Sequence, residues 1–269
     1  MAEMRIGVAG CAGRMGRMLV REVAGTEGCR LTGGTEEPGR EEIGRDLGEV
    51  AGLEPLGVAV GGDPAVLFAQ ADAVLDFTTP AAAVEHAALA ARDTTIHVIG
   101  TTGLNAEQEE ALSEAARHTA VVRAPNMSIG INLLMVLVEQ VARTLDDGYD
   151  IEIVEMHHRH KLDAPSGTAL GLGRAAAAGR GADFDEIAQR HRDGPRRRGD
   201  IGFAALRGGD VVGDHTVIFA GQGERLELSH KAADRRVYAQ GAVRAALWAR
   251  GKPPGLYSMK DVLGLTAIS

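Results

Sequence analysis

The residues best equipped for chemistry lie in one unbroken run, Glu155-Met156-His157-His158-Arg159-His160-Lys161-Leu162-Asp163-Ala164-Pro165-Ser166-Gly167-Thr168-Ala169. Three histidines and a lysine offer proton donors whose affinity can be tuned near neutrality. The run begins where a strand ends, the usual place for a rigid scaffold to present reacting side chains. Ser166-Gly167-Thr168 then opens a helix, so hydroxyls and backbone N–H groups there can cradle an anion such as a carboxylate. A cationic loop beside an anion cradle suits a small, doubly negative substrate. Three other readings compete. His157, His158 and His160 could ligate a metal, but Arg159 and Lys161 would repel a cation and the HExxH spacing is absent. A run of charge can also be a solvated surface loop, and a nucleic-acid patch sits badly with an acidic chain.

A second constellation lies near the N-terminus. Gly10, Gly13 and Gly16 form G-x-x-G-x-x-G between a strand-like run and a helical one. Such a turn lets the backbone approach a pyrophosphate, while the helix N-terminus supplies unpaired N–H groups and partial positive charge. Glu36 lies at the end of the next strand, where an acid can accept hydrogen bonds from ribose hydroxyls. The bland alternative is a structural turn without a ligand. Glu37 follows directly, so a cofactor 2′-phosphate would meet two carboxylates, an unfavourable encounter. NADH is therefore expected over NADPH, although Arg14 or Arg40 could soften the penalty.

These residues need elements to hold them. Strands are expected at Ile6 to Ala9, Leu31 to Thr35, Ala73 to Phe77, Ile96 to Ile99 and Val121-Val122, with a weaker one at Val58 to Val60. Between them fall helices at Met15 to Val23, Pro64 to Ala71 and Ala81 to Arg92. A further helix starts at a capping box of Asn105 and Gln108 and runs to about His118. Alternating strands and helices imply a parallel sheet covered on both faces, here the Rossmann-type doubly wound α/β fold. The second half reads as an α+β domain on a mixed sheet. A helix at Gly130 to Thr144 precedes the alternating strand Asp150 to Met156 and a helix at Ala169 to Ala178. Strands follow at Ile201 to Leu206, His215 to Phe219 and Arg225 to His230, the last two joined through Gly221-Gln222-Gly223 as a hairpin. The helix Ala239 to Arg250 is stopped by Gly251 and Pro253.

Composition narrows the function classes. A chain of 269 residues can hold two modest domains. Its net charge of −8 argues against general affinity for nucleic acid or anionic membranes, and aromatics at 3% leave little for base stacking. Cys11 and Cys29 form neither a disulfide framework nor a metal finger, so reduced thiols and a cytoplasmic location are expected. The chain enters a strand at once and has no apolar stretch of about 18 residues, so neither a secretory signal nor a membrane span is expected.

The motifs together resemble the 4-hydroxy-tetrahydrodipicolinate reductase (dihydrodipicolinate reductase) family of the diaminopimelate route to lysine. The matching pieces run in order along nearly the whole chain. They are Val8-Ala9-Gly10 with Gly13-Arg14-Met15-Gly16, Asp76-Phe77-Thr78, Gly100-Thr101-Thr102-Gly103, and Asn126 with Ser128. Glu155, His157 to Lys161 and Asp163 to Ala169 follow. Arg207-Gly208-Gly209-Asp210, Gly213-Asp214-His215-Thr216, Gly223-Glu224-Arg225 and Gly241-Ala242 complete the series. The histidine–lysine–serine–glycine–threonine stretch is the family-specific part.

The resemblance implies reduction of a cyclic imine dicarboxylate by a nicotinamide dinucleotide, with no metal. It implies His157 as proton donor and acceptor and Lys161 as proton donor. His158, Gly167 and Thr168 would bind substrate, with Ser166 at the helix start and Arg235 as a weaker candidate for a second anchor. Gly10, Cys11, Ala12, Gly13, Arg14, Met15, Glu36, Gly100, Thr101, Thr102, Ala124, Pro125, Asn126 and Met127 would line the dinucleotide site. By the same resemblance the assembly is a homotetramer built through the second domain's sheet. The dinucleotide domain then comprises residues 1–127 and 239–269, and the substrate and oligomerisation domain residues 128–238. The chain departs from the family where a basic residue often follows the ribose-binding acid, since Glu37 stands there, and at Pro125 and Met127. Two other functions are weighed: a dinucleotide-binding regulator without catalysis, which has no need of the His157/Lys161 set, and a semialdehyde dehydrogenase, which needs a nucleophilic cysteine in its cleft.

Overall fold

The computed structural model describes residues 2–191 and 194–265. Residues 1, 192, 193 and 266–269 of the expected domain ranges lie outside the described residues. The chain divides into two compact units, Met1–Ser128 with Arg235–Ser269, and Ile129–Asp234.

The first unit runs β1 (Met4–Ala9), α1 (Arg14–Gly25), β2 (Cys29–Thr35), α2 (Leu47–Ala51), β3 (Val60–Gly61), α3 (Pro64–Gln70), β4 (Ala73–Asp76), α4 (Pro80–Asp93), β5 (Ile96–Ile99), α5 (Ala106–Ala115) and β6 (Ala120–Arg123). The second unit contributes α6 (Ile129–Thr144), β7 (Asp150–His157), α7 (Gly167–Arg180), α8 (Phe184–Ile187), β8 (Ala188–Gln189), β9 (Ile201–Arg207), β10 (Gly213–Ala220) and β11 (Arg225–Ala232). The chain then returns to the first unit with α9 (Arg236–Ala249), β12 (Gly255–Tyr257) and α10 (Met259–Val262).

Seven parallel strands in the order β12-β6-β5-β4-β1-β2-β3 form the first sheet. All four residues of β4 are buried, as a parallel strand covered on both faces requires. The strand order reverses direction between β1 and β4, so the turn after β1 opens at the crevice where doubly wound sheets bind ligands. Helix starts follow local chemistry. Thr79 caps α4 with Pro80 at its first position, and Asn105 and Gln108 make both bonds of the expected capping box. Two expectations shift, and one strand was not expected. The weak third strand pairs at Val60–Gly61, with Ala59 only bridged to Asp46. Helix α5 ends at Ala115 rather than near His118, because Ala116, Arg117 and His118 tighten into turns before β6. Strand β12 lacked any hydrophobic run and exists because Gly255–Tyr257 docks on β6.

The second sheet has the order β11-β10-β7-β9-β8 and is mixed. β7 and β9 are parallel, while β10 is antiparallel to β7 and β11. Ile131, Leu134 and Val138 of α6 and Leu172 and Ala176 of α7 pack on Ile151, Ile153, Ile201, Val217 and Phe219. The expected hairpin joins β10 to β11. The arginine cluster is tied down: Arg196 pairs with Asp150 at 3.0 Å and Glu152 at 3.4 Å, and Arg198 with Asp147 at 2.6 Å. Among the described residues no helix is long and apolar enough to cross a membrane.

Candidate active site

Period-2 geometry in β7 decides which polar residues become functional. Ile151, Ile153, Glu155 and His157 all point to the helix-covered face, and all are buried. Glu155 therefore continues a hydrophobic stripe, with 1% of its surface exposed. A carboxylate there needs partners, and the sheet register supplies them. Arg207 stands beside His157 on β9, and His215 beside Glu155 on β10. Both Arg207 Nη atoms donate to Glu155 at 2.8 Å, a bidentate pair. Ser166 N–H donates to Oε1 at 3.1 Å, and His157 Nδ1 lies 2.6 Å from Oε2. Burial pushes the Glu155 carboxyl upward, but the Arg207 and His157 hydrogen bonds outweigh it and hold it below the usual range.

This arrangement fixes the His157 tautomer. With Nδ1–H donated to the carboxylate, Nε2 is the nitrogen left for proton exchange. A Cβ at Gly213 would come within 3.0 Å of that Nε2, so glycine there gives the ring its room. The His215 ring stands edge-on to His157 at 5.1 Å between centroids. Its Nε2 lies 3.1 Å from Ser166 Oγ, which accepts from Ala169 N–H and caps α7. Since Oγ already accepts, its hydroxyl proton goes to a neutral His215. Burial, then the charge of His157, push His215 down to about 4.

The rest of the loop is pinned by the segment after β9. Gly208 N–H donates to His157 O, His158 N–H to Val211 O and Arg159 N–H to Gly209 O. Lys161 Nζ pairs with Asp163 at 2.8 Å. Burial raises the Asp163 carboxyl, but Lys161 more than offsets this and keeps it low. The His158 and His160 rings lie 6.3 Å apart. Among the described residues no three His, Cys, Asp or Glu side chains form a metal-holding group. At the start of α7, Gly167 is exposed and a Cβ there would meet no atom within 4 Å. The chain's own packing does not demand that glycine, which fits a cradle kept open for an anion.

In the first unit the glycine turn fits a dinucleotide pyrophosphate. Gly10 has φ +66°, and a Cβ on Gly16 would strike Gly10 O at 2.0 Å. No side chain caps α1, and its first turn carries no acid, so its N-terminus faces outward for an anion. Gly10 and Cys11 N–H both donate to Thr35 O. Glu36 Oε1 accepts from Ala12 N–H at 2.7 Å, so this acid buttresses the turn. Thr78, Gly100 and Ala124 follow β4, β5 and β6 on the same strand-end edge. Phe77 packs flat enough on Gly100 that a Cβ there would meet its ring at 2.3 Å. Thr101 is buried and Thr102 exposed. Pro125 is exposed, Asn126 Oδ1 accepts from Ser128 N–H, and Met127 O touches Gly241 of α9. Cys11 is buried; burial and Glu36 push its thiol up to about 12, so it is no nucleophile.

The structure thus places His157, Lys161, His158, Ser166, Gly167 and Thr168 in the second unit, and Gly10 through Met15, Glu36, Gly100–Thr102 and Ala124–Met127 in the first. Arg235 precedes α9 in the first unit. Sequence reasoning assigned no role to Glu155, Arg207 or His215. Strand parity could have flagged Glu155, but only sheet register brings Arg207 and His215 to it.

Comparison with known proteins gives a consistent result over both units. The dihydrodipicolinate reductase N-terminus family model matches residues 4–127, and its C-terminus counterpart residues 130–263. A Ruegeria pomeroyi protein named 4-hydroxy-tetrahydrodipicolinate reductase is 59% identical over 96% of this chain and 97% of its own. A Mesorhizobium japonicum protein named 4-hydroxy-tetrahydrodipicolinate reductase 1 is 57% identical over 98% of each. A solved dipicolinate-bound dihydrodipicolinate reductase from Paenisporosarcina sp. TG-14 superposes with a TM-score of 0.77 at 27% identity, covering 95% of this chain and 97% of that one.

Proposed function

The chain belongs to the dihydrodipicolinate reductase family, and from that membership we propose that it reduces 4-hydroxy-tetrahydrodipicolinate to tetrahydrodipicolinate, in lysine biosynthesis by the diaminopimelate route. The ring loses water to give a conjugated imine, and a reduced nicotinamide dinucleotide, when bound, supplies the hydride. His157 exchanges the proton at the neighbouring ring carbon through Nε2, its other nitrogen being committed to Glu155. Lys161 is the second proton donor, released from Asp163 as the substrate's charge arrives. Negative charge builds on the ring during reduction, and the cationic run stabilises it. One carboxylate is held at the α7 start by Gly167 and Thr168 with His158, where Ser166 sets the helix.

The observation that carries this reading is the buried Glu155–His157 pair, clamped by Arg207, with the exposed and unhindered Gly167 at the α7 start. The dinucleotide belongs to the unit Met1–Ser128 with Arg235–Ser269, which begins before the expected 239 because α9 starts at Arg236, and the substrate to Ile129–Asp234. NADH is preferred over NADPH, a reading supported by Glu36 and Glu37. The enzyme works as a homotetramer in the cytoplasm. The partly exposed apolar residues Val154, Met156, Leu206 and Ile218 on the second sheet support the first statement, and the unpaired cysteines the second.

The test is a coupled assay. Purified protein given the condensation product of pyruvate and aspartate semialdehyde should oxidise NADH. His157→Gln should keep NADH binding and lose about 10²–10⁴ in turnover. NADH binding without turnover in the wild type would point to a regulator instead.

A further inference from the structure

Five groups, Glu36 among them, close a ring beside the glycine turn. Glu36 Oε1 accepts from Ala12 N–H at 2.7 Å, and its Oε2 lies 3.9 Å from Arg40 Nε. Arg40 Nε lies 3.5 Å from Glu42 Oε2, and Glu42 Oε1 lies 3.8 Å from Arg17 Nη2. Arg17 Nε closes the circuit by donating to Ala12 O at 2.8 Å. Glu42 is only 6% exposed, and its Oε2 has no hydrogen bond. Its charge is thus balanced by the two guanidinium groups and little else. A buried carboxylate satisfied this incompletely is costly, and neither the fold nor the chemistry above uses it. Glu37, which with Glu36 supports the cofactor preference, is exposed, so its charge is felt through solvent more weakly than a buried one.

The ring holds two carboxylates and two guanidinium groups and is formally neutral. We propose that Glu42 is a specificity residue for the dinucleotide: together with Glu36 it neutralises Arg17 and Arg40 at the ribose edge, leaving no surplus positive charge for a 2′-phosphate. The proposal rests on the reductase reading only in requiring a dinucleotide at the glycine turn. Removing the Glu42 charge leaves the ring one positive charge in excess. A unit charge facing a dianion across about 6 Å of water-like dielectric changes affinity about tenfold.

Direct fluorescence titration of NADH and NADPH on the full chain tests this without reference to turnover. In Glu42→Gln the NADPH dissociation constant should fall about tenfold while that for NADH moves less than about threefold. In Glu42→Gln with Arg40→Ala the ring is neutral again, and the gain should vanish. Should Glu42→Gln fail to fold, Glu42→Met, which brings no polar group into the buried site, carries the same expectation. An unchanged NADPH-to-NADH ratio in the charge-removed variant, or a gain that survives loss of Arg40, would overturn the proposal alone. Wild-type protein that bound neither dinucleotide would overturn the reductase reading and this inference with it.

Discussion

Replacing Glu155 by Gln keeps the side chain's shape and removes its charge at a point where three donors converge. Arg207 loses two charge-assisted bonds of 2.8 Å, and its side chain, 20% exposed, is left mostly buried with only the Asp163 charge to balance it. Removing one partner of such a pair costs about 3 kcal/mol. The catalytic effect is separate. The 2.6 Å contact to His157 Nδ1 orients the ring and stabilises the imidazolium formed when Nε2 takes a proton. A hydrogen bond to a charged group contributes about 1.5–3 kcal/mol, equivalent to a loss of about 10–100-fold in kcat. The substrate KM should change little, because Glu155 is placed behind His157. Urea denaturation reads the first effect, and NADH oxidation at saturating substrate the second. Imidazole ¹⁵N spectra add a signature that a purely structural role would not move, since the strongly hydrogen-bonded Nδ1–H of His157 should disappear. A folded Glu155→Gln enzyme with kcat within about threefold of wild type and an unaltered His157 tautomer would refute the argument. The acid limb of stability gives a check on sign. The Glu155 carboxyl is depressed below its usual 4.5, so its contribution is complete above pH 4.5, is lost as pH falls below it, and should be missing from the variant.

Other expectations follow from the same geometry. His215 has its folded affinity for protons lowered from 6.5 to about 4. Above pH 6.5 both folded and unfolded forms are neutral. Below it only the unfolded chain takes the proton, so stability should fall by about 3 kcal/mol between pH 6.5 and 4, measured by denaturation of wild type against His215→Gln; equal pH slopes would contradict a buried neutral ring. Gly167→Ala meets no atom within 4 Å, so its melting temperature should hold while affinity for pyridine-2,6-dicarboxylate drops at least about tenfold. Unchanged inhibitor binding would move the carboxylate away from the α7 start. Gly16→Ala drives a Cβ to 2.0 Å from Gly10 O, and the displaced turn should cost about 2–4 kcal/mol and abolish measurable NADH binding by fluorescence. A variant that still bound NADH would show that the turn can relax.

Much of this protein was readable before any coordinates. The strand–glycine turn–helix, the buried strand Ala73–Asp76 and the Asn105 capping box are local signals, and each depends on residues within a few positions of one another. The same holds for Ser166 at the α7 start, where a hydroxyl meets an N–H three residues on. What stayed hidden depends on pairing across long sequence separations. Strand β12 has no hydrophobic run of its own and is a strand only because β6 offers an open edge. Glu155, Arg207 and His215 lie up to 60 positions apart in the sequence, and sheet register alone lines them up behind His157. Glu42 likewise looks like one more charge in an acidic segment until the chain folds it under Arg40 and Arg17. Residue type and spacing therefore determined which groups could do chemistry. Burial and register, which are properties of the packed chain, decided which proton each group holds and which charges cancel.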